Sequence, residues 1–251
     1  KYFFDGGEKV QTAWSKWEFT GVKILGGFSI ESNIYLFTAE GQTTKLFKVD
    51  LRNLKDATLG FGVYLDKMVS VTGTYSSGTG LTTLTSPYGA KTGLMAVDKT
   101  DGTDYALTNT SGSTYTLVGN HTSLWIGTPY ESKYTLSQQY IRENTGRGLL
   151  AVTTGRYQIR NIALTYENSG FFTAEVTPEN RSTSTTVMNG YVLGTSGSTI
   201  GAPALHSGTI KVPIQCRNTD FTFDIISSSH LPMYVASAEI EGYYHNRATR
   251  I

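Results

Sequence analysis

Two glutamates, Glu239 and Glu241, stand two residues apart in an alternating stretch near the end of the chain. On a strand that spacing puts both carboxylates on one face. Paired carboxylates are the equipment of glycoside hydrolysis, which needs two acids facing each other about 5 to 10 Å apart across a cleft. Here no aromatic groove accompanies the pair, and Arg247 and Arg250 follow closely. Ion pairing within or between subunits is the preferred reading. The acidic stretch Asp98-Lys-Thr-Asp-Gly-Thr-Asp104 is the other candidate, as a calcium loop. Its oxygen ligands have the wrong spacing and no closing glutamate appears, so a hairpin turn explains it better.

The remaining reactive side chains are scattered. His121, His206, His230 and His245 show no spacing suited to a metal. Gly194-Thr-Ser-Gly197 and Gly197-Ser-Thr-Ile-Gly201 only approach a nucleophile elbow, and Gly89-Ala-Lys-Thr-Gly93 lacks the upstream glycine of a P-loop. Cys216 has no assigned base and reads as a small strand residue; as the single cysteine it excludes an intrachain disulfide. Three sequons, at Asn109, Asn120 and Asn180, matter only in a eukaryotic secretory setting. Trp14, Trp17 and Phe19 could stack on a sugar. Tryptophans three apart on a strand point to opposite faces, which favours core packing. No catalytic residue, metal or cofactor is expected.

The elements that must position these residues are strands. Among 251 residues there are 27 Gly, 16 Tyr and 11 Phe, and charged residues make up only 16%. Such a composition favours strands and turns over helices. A net charge of +1 argues against a general nucleic-acid-binding domain. No apolar run approaches the ~20 residues of a membrane-spanning helix. Tyr2-Phe3-Phe4 before Asp5-Gly6-Gly7 signals a hairpin. Strands are predicted at Val10–Phe19, Val22–Ile30, Ile34–Thr38 and Lys45–Val49, the content of a propeller blade. Asp50 to Asp56 reads as a linker. Strands resume beyond Val63, with turns at Ser76–Gly80, Asp101-Gly102 and Ser111-Gly112. In Tyr157–Tyr166, strict alternation sets Tyr157, Ile159 and Ala163 on one face and Ile162, Leu164 and Tyr166 on the other.

The expected fold is all-β: the end of a β-propeller followed by β-sandwich or barrel-like domains. Residues 1–55 are expected to form the last blade of a propeller whose remainder lies upstream, because the chain starts inside a hairpin without methionine. Residues 56–130 form a second β-rich domain and 131–251 a C-terminal β-sandwich-like domain.

Val10-Gln-Thr-Ala-Trp-Ser-Lys-Trp-Glu-Phe19 and Asn33-Ile-Tyr-Leu-Phe37 resemble the end of the propeller in the tail tubular protein B (nozzle) family of T7-like podophages. Tyr157 to Phe172 and Glu239 to Ile251 resemble that family's C-terminal region. The resemblance implies a structural virion protein of the short non-contractile tail. It would be a homo-hexamer at the tail tip, made in the host cytoplasm, forming the tube through which the genome leaves. Implied partners are the upstream part of the same polypeptide, the tail adaptor (tail tubular protein A), a tail fibre or spike, the bacterial outer envelope, and double-stranded DNA in passing. No catalytic residues carry over.

A DNA channel should not be densely basic, because Lys and Arg would hold phosphates, and the near-neutral charge suits that. The loops Ser76–Gly80 and Gly194–Gly201 are candidates for gate or subunit contacts. A ring needs two complementary surfaces on each subunit. One is expected at Glu239, Glu241, Tyr243, Tyr244, Arg247 and Arg250. The alternative reading is a carbohydrate-active tail enzyme that hydrolyses envelope or capsule polysaccharide; a weaker one is a receptor-binding module without catalysis.

Overall fold

Alternating apolar residues separated by turn dipeptides become strands throughout, and no helix occurs among the described residues. The computed structural model describes residues 2–5, 8–12, 16–19, 21–31, 33–50, 55–144, 146, 148–191 and 202–245. The chain divides into two compact units, 1–53 and 54–251.

In the first unit, β1 (Tyr2–Asp5) pairs with β2 (Glu8–Thr12) in the hairpin that Asp5-Gly6-Gly7 signals. β3 (Lys23–Ile30), β4 (Asn33–Glu40) and β5 (Thr43–Asp50) form a three-stranded antiparallel sheet. Gly41, with φ of 61°, supplies the left-handed conformation that the two-residue β4–β5 turn requires. Phe28 stacks on Tyr35 at 5.1 Å, with Phe37 beside them at 5.9 Å. The predicted strand Val10–Phe19 is shorter in fact: β2 stops at Thr12, and residues 16–19 are not in a strand. Trp17 is 52% exposed rather than core, because no strand holds it against a sheet. Trp14 lies outside the described residues.

The second unit contains two pairs of sheets. β10 (Asp104–Ala106), β9 (Met95–Asp98), β13 (Ser123–Thr128) and β6 (Asp66–Thr72) make one four-stranded sheet. β11 (Thr108–Ser111), β12 (Thr114–Val118), β8 (Leu81–Thr85) and β7 (Thr74–Ser76) make another. Alternate side chains of these strands, among them Leu84, Ala96, Tyr115, Leu117, Leu124 and Ile126, form one buried cluster. The second pair joins β14 (Ser132–Thr135), β21 (Phe221–Ser227), β18 (Phe171–Pro178) and β19 (Ser184–Asn189) with β20 (His206–Arg217), β17 (Arg156–Ser169) and β22 (Val235–His245). Its buried cluster includes Ile162, Leu164, Phe172, Val176, Val212 and Phe223. A separate hairpin, β15 (Arg142–Asn144) and β16 (Leu149–Ala151), completes the strands. None of the described sheets closes into a barrel.

The stretch read as a linker ends early. Asp56 is an anchor of the second unit: its carboxylate accepts the backbone N–H of Thr58 and Leu59 and the indole N–H of Trp125 at 2.9 Å. Burial opposes ionisation there, but these donors outweigh it and hold the Asp56 carboxyl below its usual range. Lys99 lies 3.8 Å above the same Trp125 ring.

β17 departs from strict alternation. Its register against β22 passes from Ile159↔Gly242 to Asn161↔Glu241, so Arg160 is an extra residue in a β-bulge. The bulge reverses the phase of the strand. Ile159 therefore joins Ile162, Leu164 and Tyr166 in one core, with Tyr157 packed against it, and Ala163 lies on the opposite face. The two-faced reading of Tyr157–Tyr166 is corrected by this one inserted residue.

Candidate assembly surface

Sheet β20-β17-β22 carries the acidic pair. Glu239 and Glu241 pair across β22 with Ala163 and Asn161, so both project from the face opposite Ile162 and Ile240. Tyr243 continues that row and is 58% exposed. Tyr244 has the other parity, and its ring occupies the space a side chain at Gly155 would fill. Gly242 faces Ile159 at the bulge; a Cβ there would stand 2.5 Å from the Gln158 carbonyl oxygen. That glycine lets β22 lie close against the kinked part of β17.

Glu241 is the hub of the polar face. Its carboxylate accepts from the Lys211 ammonium at 2.7 Å and the Asn161 amide at 3.2 Å, with the Arg160 guanidinium at 3.7 Å. The Lys211 ammonium, aided by the Asn161 amide, holds the Glu241 carboxyl below its ordinary range. These contacts are those of a salt-bridged surface carboxylate. Glu241 thus has partners on β20 and β17, whereas Arg247 and Arg250 lie outside the described residues. Sequence could not find Lys211 or Arg160, because the ladder alone brings those distant residues beside Glu241.

The other sequence candidates have structural posts. In the Asp98–Asp104 segment, Asp98 and Asp101 each accept a backbone N–H two residues on, from Thr100 and Thr103, as tight turns do. The second carboxylate oxygen of Asp98 meets His121 Nδ1 at 2.6 Å, and the His121 ring lies 4.2 Å from that of Tyr105. Sequence separation concealed this acid–imidazole pair. Thr82, beside it, has its hydroxyl committed to the Gly119 carbonyl and the His121 N–H, and so is not aligned as a nucleophile to the imidazole.

Gly102 (φ 80°) turns under Phe61 and Pro203, where only a glycine fits. The buried His230 lies with Nε2 at 2.9 Å from the Gly102 carbonyl. His206 Nδ1 meets the Tyr166 hydroxyl at 3.1 Å. Cys216 is buried in the second core, as its reading as a small strand residue requires. Among the described residues no three His, Cys, Asp or Glu side chains are grouped to hold a metal ion. Ser76–Gly80 is a tight turn between β7 and β8, closed by the Gly80 N–H to the Ser76 carbonyl at 2.9 Å. The 194–201 loop lies outside the described residues.

One further surface has the character of a contact. In the first unit, Phe28, Tyr35, Phe37 and Leu46 share one face of the sheet by register, and Ile34, Leu36, Phe47 and Val49 share the other. Phe28, Phe37 and Leu46 are 42%, 43% and 53% exposed. A sheet apolar on both faces needs cover on both sides.

The family model for the bacteriophage nozzle protein matches residues 1–251. The chain is similar to the protein named tail tubular protein gp12 of Escherichia phage T7, at 26% identity over 270 residues. That match covers 100% of this chain and 34% of the T7 protein, so the chain spans about a third of that relative's length. All-β throughout its described residues and matched from end to end by that family model, the chain belongs to the bacteriophage nozzle protein family.

Proposed function

We propose that this chain is a structural part of a short phage tail, within a hexameric tube that conducts the genome into the host. The observation that carries the reading is the family match over the whole chain. Two physical features support it. The first unit's sheet is apolar on both faces, the character of a propeller blade whose flanks are covered by neighbouring blades of a longer polypeptide. The second unit presents Glu239, Glu241 and Tyr243 on one polar face, with Glu241 held by Lys211, Arg160 and Asn161, suited to the rim of a subunit contact. In the assembled tail this chain would adjoin the adaptor above and fibres or spikes outside, and DNA would pass it without being held.

The role is mechanical. The engagement of Glu241 by Lys211, Asn161 and Arg160 supports a structural post for this carboxylate. Ring formation decides the interface: phage lacking the protein are complemented with the wild-type chain in its full-length context or with Arg247→Ala/Arg250→Ala. Native mass measurement of the purified tails should show hexamers for the first and smaller species for the second. Unchanged hexamers would remove the C-terminal segment from the interface. New reducing ends released from host envelope polysaccharide by the purified protein would overturn the non-catalytic reading.

A further inference from the structure

At one end of the second sandwich, three arginines from three separate stretches line a single open groove of about 260 Å³. Arg156 begins β17, Arg181 follows the turn after β18, and Arg217 ends β20. Among the described residues none of them forms an ion pair with a carboxylate. Arg181 directs one N–H at Cys216 Sγ, 2.8 Å away, and Arg156 makes a long 3.4 Å contact with Gln158. Arg181 also makes a long 3.4 Å contact with the Gln215 carbonyl; with five N–H donors on each guanidinium, these contacts engage only a minority of the donors the three arginines bring to the groove. The amides of Gln158, Asn180 and Gln215 line it as well.

The walls are tied together. Glu179 N–H donates to the Asp220 carbonyl at 3.0 Å, Asp220 N–H to the Arg217 carbonyl at 3.1 Å, and Asn218 N–H to the Tyr157 carbonyl at 3.1 Å. These bonds join the 178–181 turn, the β20–β21 turn and the start of β17, and so fix the arginines' backbones relative to one another. An arriving ligand therefore has only the arginine side chains left to order, not the backbones that carry them.

We infer that this groove binds a small phosphate-type oxyanion. Planar guanidinium forks match phosphate oxygens in pairs, and amides complete the shell. Glu179 and Asp220 also line the groove, and among the described residues neither forms an ion pair with an arginine. Their charge repels a long polyanion laid across the groove and restricts the site to a compact anion that fits between them. A phosphate on a hydroxylated body suits both kinds of group, because carboxylates accept hydrogen bonds from hydroxyls.

Calorimetric titration of the full chain at low ionic strength tests the inference, with pyrophosphate, inorganic phosphate and glucose 6-phosphate as separate probes. At least one should bind saturably at one site per chain; tighter binding of glucose 6-phosphate than of inorganic phosphate assigns the source as a phosphorylated sugar, and the reverse a free oxyanion. Arg217→Gln and Arg181→Gln should each weaken binding about tenfold or more, the effect of removing a charged hydrogen bond. Arg142→Gln, on the separate β15–β16 hairpin, should leave it unchanged. Circular dichroism and thermal unfolding of each variant confirm that it is folded. Absence of saturable binding for all three probes overturns the inference. So does equal weakening by Arg142→Gln, or a short DNA duplex that displaces pyrophosphate in an Arg217-dependent manner.

Discussion

Replacing Gly242 with alanine should destabilise the second unit through one carbonyl. The new Cβ would stand 2.5 Å from the Gln158 oxygen, 2.9 Å from Tyr157 Cε2 and 3.1 Å from Ile159 Cα, where ordinary contact begins at 3.4 Å. The Tyr157 ring can turn aside, but the Gln158 carbonyl belongs to the bulge that delivers Ile159 to the core. The strand pair must therefore open by nearly an ångström at that point. Forced overpacking costs about 1–3 kcal/mol. The smaller entropy of an unfolded alanine returns about 0.4–1 kcal/mol. A net loss of about 1–2 kcal/mol lowers Tm by roughly 2–8 °C for a unit of this size. Thermal and urea unfolding of the variant measure it, with Gly78→Ala as the control, since the nearest atom to a Cβ there is the Ser76 hydroxyl at 4.0 Å. If Gly242→Ala proves as stable as Gly78→Ala, the account of the bulge and its facing glycine is wrong.

Tyr115→Phe should cost about 1–3 kcal/mol, because the buried hydroxyl accepts from the Lys91 N–H at 2.6 Å and donates to the Lys91 carbonyl at 2.7 Å. Urea unfolding with amide exchange at residues 89–91 reads it, and unaltered exchange there would count against the bond. The folded pKa of Glu241 is depressed, so its contribution is present above its unfolded pKa and lost as pH falls through the lower folded value. The stability gap between wild type and Glu241→Gln should accordingly close on acidification and shrink with added salt; a gap independent of pH refutes the ion pair. Burial lowers the pKa of His230, against the opposing pull of the Gly102 carbonyl and Asp104. The neutral ring is therefore fully compatible with the fold above about pH 6.5, and stability declines as pH falls from there towards the lowered folded value. His230→Gln should flatten that part of the pH–stability curve, and an unchanged slope would assign it to other groups.

Strand content and much of the turn chemistry were legible from local pattern. Asp5-Gly-Gly and Asp101-Gly each announce their turns by residue type alone, because backbone conformation there depends on the residues themselves. The family resemblance was legible too, from blocks such as Tyr157 to Phe172, and the family model matches the whole chain. The phase of β17 was not. Period two predicts a strand's faces only until a residue is inserted, and nothing in Ile159-Arg-Asn-Ile162 marks Arg160 as the extra one. Trp17 misled for a related reason: an aromatic near a strand pattern suggests core, but burial requires a sheet to hold it.

At the candidate surface the same division holds. Two glutamates sharing a face follow from their spacing, and Arg247 and Arg250 were their nearest cations along the chain. Lys211 and Arg160 became the partners of Glu241 because β20, β17 and β22 lie side by side. The three arginines of the groove are similarly remote from one another in sequence and meet at one end of a sandwich. Alternation, glycine placement and composition by themselves determined that this chain is all-β and where many of its turns fall, because those properties are set within a few residues. Which charges pair, which face of a bulged strand is buried and which arginines converge were decided by strand register, a long-range property that exists only once the sheets have assembled.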